Sequence, residues 1–186
     1  MLKKPNLQVA YETQIIPVMM KKYGYKNRMQ VPRLKKIVLN MGVGAGADDI
    51  KIVEAAQKEL TQITGQQAVI TRAKKAISNF KIREKSPIGC RVTLRKRVMF
   101  EFLERLVHVA LPSVRDFGGL NPKGFDAVGN YNFGLQEQGI FPEIEKDRVV
   151  RTQGMNVTIV IDSSSKEESY ELLNLFDVPF RNRGQK

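Results

Sequence analysis

Cysteine and histidine occur once each in this 186-residue chain, as Cys90 and His108, and tryptophan is missing altogether. One of each leaves no zinc site of Cys/His type and no evident Cys/His nucleophile pair. A lone cysteine forms no internal disulfide and suits a reducing, cytosolic compartment. Apolar runs are also short: the longest, Ile15–Met20, has six residues and contains Pro17, far below the roughly 20 that a bilayer span needs. Met1–Asn6 carries Lys3 and Lys4, but no apolar stretch with a small-residue cleavage site follows, so no signal peptide is expected. Acidic side chains are outnumbered, 19 against 31 Lys and Arg, for a net charge of +12. At 42% hydrophobic the chain is too apolar for a disordered basic tail, and its length suits a single domain.

The positive excess is unevenly placed. Residues 1–40 hold nine Lys/Arg and one acid, Glu12; residues 71–98 hold ten and one, Glu84; the remainder sums to −5. Charge gathered into two stretches of a folded chain reads as the footprint of a polyanion. A solvated basic face without a ligand is the plain alternative. An anionic membrane surface favours a basic amphipathic helix, whereas Ser86, Pro87 and Gly89 interrupt the second stretch. No membrane partner is expected.

Periodicity supplies the elements. Leu7–Tyr23 reads as a helix stopped at Gly24, within an N-terminal helical extension over 1–30. Ile37, Leu39 and Met41 alternate with Lys36, Val38 and Asn40 as in a strand with one greasy face. Asp48 or Asp49 can cap a helix whose stripe is Ile50, Val53, Ala56, Leu60 and Ile63, ending at Gly65. A short strand over Gln66–Ile70 and a basic loop over 72–89 follow. Arg91, Thr93, Arg95 and Arg97 then alternate with Val92, Leu94 and Lys96 as a further strand. Val98–Leu111 is a helix ended by Pro112. Residues 113–154, rich in Gly, Pro and Asn, form an ordered surface excursion with a strand near Asn130–Leu135. Met155–Ile161 returns to strand alternation, and Lys166–Phe176 is the last helix.

This order predicts an α+β fold: a largely antiparallel sheet with helices on one face. Asn40, Arg91, Thr93, Arg95 and Thr158 lie opposite the apolar strand positions, so the other face becomes an open polar platform. Sheets that bind single-stranded or looped RNA present such a face; for any one residue taken alone, simple wetness is the readier explanation of its polarity. Gly42-Val43-Gly44-Ala45-Gly46-Ala47 formally fits a dinucleotide-binding turn. Thr71 and Arg72 stand where that fold wants a ribose-binding acid, and Asp48 and Asp49 place negative charge where pyrophosphate would sit. A tight strand-to-helix turn accounts for these glycines. His108 lies among Leu106, Val107, Val109 and Ala110 as a helix residue, and Glu143, Glu145 and Asp147 read as exposed loop acids. No catalytic constellation emerges, and neither a cofactor nor a small-molecule substrate is expected. A generic RNA chaperone remains a rival to a dedicated binder.

Ordered motifs from Tyr11 to Arg181 carry a resemblance: Val31-Pro32-Arg33, Leu39-Asn40-Met41-Gly42, Thr64-Gly65-Gln66, Thr71-Arg72-Ala73-Lys74-Lys75, Phe80-Lys81-Ile82-Arg83, Pro87-Ile88-Gly89, Arg91–Arg95, Arg115-Asp116-Phe117, Gly129-Asn130-Tyr131, Phe141-Pro142-Glu143-Ile144 and Phe176–Arg181. The chain resembles the bacterial large-subunit ribosomal protein family that binds 5S rRNA, the fifth in the traditional numbering. The resemblance implies a non-enzymatic, cytoplasmic constituent of the large subunit that helps attach 5S rRNA in the central protuberance, with large-subunit rRNA as neighbour. It assigns Asn40, Gln66 and Thr93 to polar rRNA contacts, supported by Arg33, Arg91 and Arg95. It assigns Arg72, Lys74, Lys75, Ser78, Asn79, Lys81 and Arg83 to a loop that reaches the elbow of the peptidyl-site tRNA. It gives the excursion, about Arg115–Val149, an intersubunit bridge to a small-subunit head protein. Gly118, where the family pattern has arginine, and Gly139, where it has a bulkier residue, depart from that pattern. The loop's length and charge, with Pro87 and Gly89, suit an arm that orders on meeting RNA.

Overall fold

The computed structural model describes residues 4–47, 49–145, 149 and 151–181. It is α+β, with five strands hydrogen-bonded in the order β2-β3-β1-β5-β4 in an open antiparallel sheet. The strands are β1 (Arg33–Gly42), β2 (Val69–Arg72), β3 (Pro87–Leu94), β4 (Tyr131–Leu135) and β5 (Met155–Asp162). The chain resolves into two compact units: Met1–Ile37, Arg95–Phe133 and Thr158–Lys186 form the first, and Val38–Leu94 with Gly134–Val157 the second. Strands β1, β4 and β5 each run through both.

In the first unit, α1 (Asn6–Ala10) passes through a π-helical turn, Tyr11–Ile15, into α2 (Ile16–Tyr23). The wide turn sits just before Pro17, which has no N–H to donate and whose ring crowds the preceding carbonyls. The segment expected as an extension contributes Leu7, Ile15, Ile16 and Met19 to the buried core. Tyr11 stacks on Phe176 at 5.9 Å between centroids, lies 6.4 Å from Phe100, and donates its hydroxyl to the Pro32 carbonyl. A second cluster joins Phe125, Tyr131, Tyr170 and Phe180. Helix α4 (Lys96–Arg105) continues into another π turn, Leu106–Ala110, and buries Met99, Phe102, Leu103, Leu106 and Ala110 as their spacing predicts. Ser165 caps α5 (Lys166–Leu175) by accepting from the Glu168 N–H. At Gly119 (φ +92) an added Cβ would meet the Arg181 backbone, so both the left-handed conformation and the space demand glycine there.

In the second unit, α3 (Ile50–Thr64) packs against β2 and β3. Val53, Ala56, Leu60 and Ile63 are buried, as are Leu39, Met41, Cys90, Val92 and Leu94 on the strands. Each fully buried aliphatic side chain contributes about 1.5–3 kcal/mol relative to exposure. Ile50, expected in the stripe, is 44% exposed, because it is the first helical residue, ahead of the sheet-facing turns. Asp49 is the cap, its carboxylate accepting from the Lys51 N–H at 2.9 Å; Asp48 lies outside the described residues. Gly65 closes the helix at φ +69.

Three expected boundaries move. Strand β2 begins at Val69, not Gln66, because the Thr64 hydroxyl donates to the Leu60 and Gln66 carbonyls and holds 64–66 in the helix-ending turn. Strand β3 starts at Pro87, so 87–89 belong to the sheet and not to the basic loop. It also ends at Leu94: Arg95 flanks α4 and Arg97 is helical, paired with Glu101 at 2.6 Å, so the strand stops three residues early. The 113–154 excursion is anchored at several points, since Tyr131, Leu135, Gln138, Phe141 and Ile144 are buried. Asp147 falls outside the described residues.

Candidate nucleic-acid interface

Within the second unit the face of the sheet away from α3 is open. Strands β2 and β3 pair with Val69 opposite Arg91, Ile70 opposite Cys90 and Thr71 opposite Gly89. Opposed residues of an antiparallel pair share a face, so Val69, Arg91, Thr71 and, two residues on, Thr93 stand together. Arg91 is exposed, Thr93 half-buried, and Val69 is 62% exposed beside them. Asn40 is half-buried between Leu39 and Met41, both with no exposed surface, which puts it on the opposite side of β1 from the core. Gln66 lies off the strands, yet its side-chain amide donates to the Thr93 carbonyl at 3.2 Å. The turn after α3 therefore sets Gln66 beside Thr93. Short polar groups on such a frame have fixed positions, which is what recognising a base edge or a 2′-hydroxyl requires.

Gly89 joins this face to the loop. An added Cβ there would run into the Met41 carbonyl and come within 3.2 Å of the Thr71 hydroxyl, so three strands meet where no side chain fits. Beneath, Gln138 is 1% exposed and fully engaged: its amide donates to Glu59 and to the Arg151 carbonyl, and its oxygen accepts from the Gln153 N–H. Burial holds the Glu59 carboxyl above the usual range, with the Gln138 amide working against it. Burial, with the Glu59 charge second, pushes the Cys90 thiol up to about 11, which leaves it protonated at neutral pH and unsuited to act as a nucleophile.

The basic segment is not an open arm but a prolongation of the β2–β3 hairpin. Past an irregularity at Thr71/Arg72, the Ala73 N–H donates to Ser86 O and the Lys85 N–H to Ala73 O. The Arg72 guanidinium donates to Lys85 O at 3.0 Å. Farther out, Ile77 and Ile82 exchange two backbone hydrogen bonds of 2.9 and 3.1 Å around a 3-10 turn, Ser78–Phe80, and Lys81 takes φ +53 to reverse the chain. Lys74, Lys75, Ser78, Asn79, Lys81 and Arg83 are all exposed, as are Arg72 and Lys85. Six cations share residues 72–85 with one acid, Glu84, and none of the six is in an ion pair among the described residues. Backbone order and unneutralised charge together make a preformed, strongly basic projection.

The remaining candidates belong to the first unit. Arg33 is exposed but holds Asp162 at 3.2 Å through two nitrogens, Nε and Nη2, and Arg95 is exposed at the start of α4. The Thr158 hydroxyl, expected on the platform, already donates to the Asn132 side chain at 2.7 Å. Two exposed apolar groups escaped the sequence reading: Val69, and Phe80, which is 71% exposed at the hairpin tip. Phe80 carried a signal of its own, an aromatic in a polar, basic loop with no periodic apolar partner. Of the dinucleotide-type turn, Gly46 packs so closely that a Cβ would collide with Val53, and the Asp49 carboxylate occupies the helix start. No group of three or more His, Cys, Asp or Glu among the described residues could hold a metal, and no described helix is long and apolar enough to cross a membrane.

Comparison with known proteins gives the chain's family. Residues 27–83 match the family model for ribosomal protein L5, and residues 87–180 the model for the ribosomal L5P family C-terminus. A Clostridium kluyveri protein named large ribosomal subunit protein uL5 is 54% identical over 175 residues, spanning 94% of this chain and 97% of the relative. Proteins of the same name from Chlorobaculum tepidum and Clostridium perfringens are 51% and 52% identical, spanning 97% and 94% of this chain and 98% of each relative. The motifs, the open α+β sheet and relatives matched over nearly their full length converge: the chain belongs to the ribosomal protein L5 family, structural and non-enzymatic constituents of the large ribosomal subunit.

Proposed function

We propose that this chain works in the bacterial cytoplasm as the 5S rRNA-binding protein of the large subunit, and that its two surfaces take two RNAs. The open strand face, with Asn40, Thr93 and Gln66 as selecting groups and Arg91 as phosphate partner, takes a looped part of 5S rRNA. Arg33 and Arg95, in the first unit, are further rRNA-contacting cations in this reading. The hairpin loop, through Arg72, Lys74, Lys75, Ser78, Asn79, Lys81 and Arg83, takes the peptidyl-site tRNA. The nearly charge-balanced excursion over 113–154, with five Lys/Arg and six Asp/Glu, suits a protein contact better than an RNA one, and takes the small-subunit head protein at an intersubunit bridge.

The observation that carries this reading is the open face itself: strands buried on one side by α3 and lined on the other with hydrogen-bonding side chains beside arginine. The test is sedimentation of the native protein followed by competition. It should travel with the large subunit, bring 5S rRNA with it after mild dissociation, and prefer 5S rRNA over tRNA for the isolated protein at matched salt. Equal affinity for both RNAs would mark a generic RNA chaperone and overturn the proposal.

A further inference from the structure

The charge of the 72–86 loop explains affinity for phosphate, but it does not explain Phe80. That ring is 71% exposed at the outermost turn, and Ile77 beside it is 46% exposed. An exposed ring on a disordered tail would mean little. Here it stands on a closed frame, with the Ile77–Ile82 hydrogen-bond pair below it, the Lys81 N–H donating to Ser78 O at 2.9 Å, and Lys81 held at φ +53. A lysine in that left-handed conformation is uncommon, and the hydrogen bonds on either side hold it there. The surroundings define the partner's chemistry. Lys74, Lys75, Lys81 and Arg83 offer charge to phosphates, while Ser78 and Asn79, exposed in the same turn, offer hydrogen bonds.

We propose that Phe80 is a base-stacking residue: its ring packs on an unpaired base of the RNA that the loop binds, while the flanking cations hold the phosphates on either side of that base. An aromatic side chain among phosphate-binding cations is how proteins hold unstacked bases, since every base offers a π-face and single-stranded or looped RNA leaves it accessible. A paired duplex hides its base faces, so the ring makes the loop selective for looped over helical RNA. This rests on the reading of the loop as a tRNA-binding element and assigns the residue within it that senses RNA shape.

Because the chain has no tryptophan, Phe80→Trp in the full-length protein creates a single indole reporter at the tip. Deacylated tRNA should quench its fluorescence saturably, and an RNA duplex of equal phosphate content at matched salt should not. A Val128→Trp control, at a site 69% exposed in the first unit, should stay bright with either RNA. Phe80→Ala and Phe80→Leu should each weaken tRNA binding about fivefold or more, with Phe80→Tyr near wild type, since stacking needs the ring and not merely apolar bulk. Wild-type affinity in Phe80→Leu, or equal quenching by the duplex, would overturn the proposal. So would intact tRNA binding with defective subunit joining in Phe80→Ala, which would assign the ring to a protein contact. The triple change Lys74→Ala, Lys75→Ala, Lys81→Ala separates the two levels. If it weakens tRNA binding while the Phe80 variants do not, stacking alone fails; if it leaves tRNA binding unchanged, the tRNA reading of the loop falls and stacking with it.

Discussion

Asn40, Arg91 and Thr93 stand on strands whose other side is buried, whereas Lys74, Lys75, Lys81 and Arg83 stand on a hairpin loop in which only Ala73 is buried. Both surfaces lie in the second unit and both are basic, but they are built for different contacts. A short side chain on a covered strand has few rotamers and a fixed origin, so it can discriminate between hydrogen-bonding partners. A lysine on a loop reaches farther, adapts, and neutralises phosphate with little regard for sequence. Net charge does not separate these roles; the support beneath each residue does.

The largest expected effect comes from breaking the joint between the two. Gly89→Ala forces a Cβ against the Met41 carbonyl and should destabilise the second unit toward the upper end of about 1–3 kcal/mol, read as a lower melting temperature by circular dichroism. A wild-type melt would show that the strands part there easily and that face and loop are not rigidly joined. Next, the triple change Lys74→Ala, Lys75→Ala, Lys81→Ala should spare 5S rRNA binding while flattening the salt dependence of tRNA contact in assembled ribosomes. Three lost phosphate contacts correspond to roughly a 20- to 40-fold difference in affinity loss across a fourfold rise in salt. Equal loss for both RNAs would merge the two surfaces into one continuous site.

On the face, Asn40→Ala or Thr93→Ala should weaken 5S rRNA binding in filter assays by about 1 kcal/mol per hydrogen bond and leave the salt slope unchanged. A changed slope would mean that these residues act through charge, as the loop does. The smallest effect concerns the frame below. Burial raises the Glu59 carboxyl, so its protonated form supports the fold; that support is present below the ordinary glutamate range and fades as pH rises through the raised value. Glu59→Gln should therefore flatten the decline in melting temperature from acidic to neutral pH, with RNA binding through the loop untouched. An unaltered pH profile would show that the decline has another source.

Local patterns were the most legible part of the fold. Ile37, Leu39 and Met41 have no exposed surface, as their alternation predicts, and α3 ends at Gly65 as its glycine predicts. Legibility failed where a tertiary hydrogen bond or a packed neighbour overrode the pattern. Alternation through Arg97 reads as strand, but Arg97 pairs with Glu101 one helical turn away. Gln66 reads as strand, but the Thr64 hydroxyl captures its carbonyl. Gly119 is explained only by the Arg181 backbone, 62 residues away in the chain. Of the candidate site, the residue types and both basic stretches were visible; Val69 beside Arg91 and the exposed ring of Phe80 were not.

By itself, then, the sequence determined which strand positions are apolar, where most helices stop, and that positive charge gathers in two stretches. These properties depend on residues adjacent in the chain or one period apart. Only the tertiary structure decided that β2 pairs with β3 in the register setting Val69 opposite Arg91, that Gln66 meets Thr93, and that the basic segment is closed into a hairpin with Phe80 at its tip. Strand pairing and loop closure are settled by partners distant in sequence, through backbone hydrogen bonds and packing that composition and period do not encode.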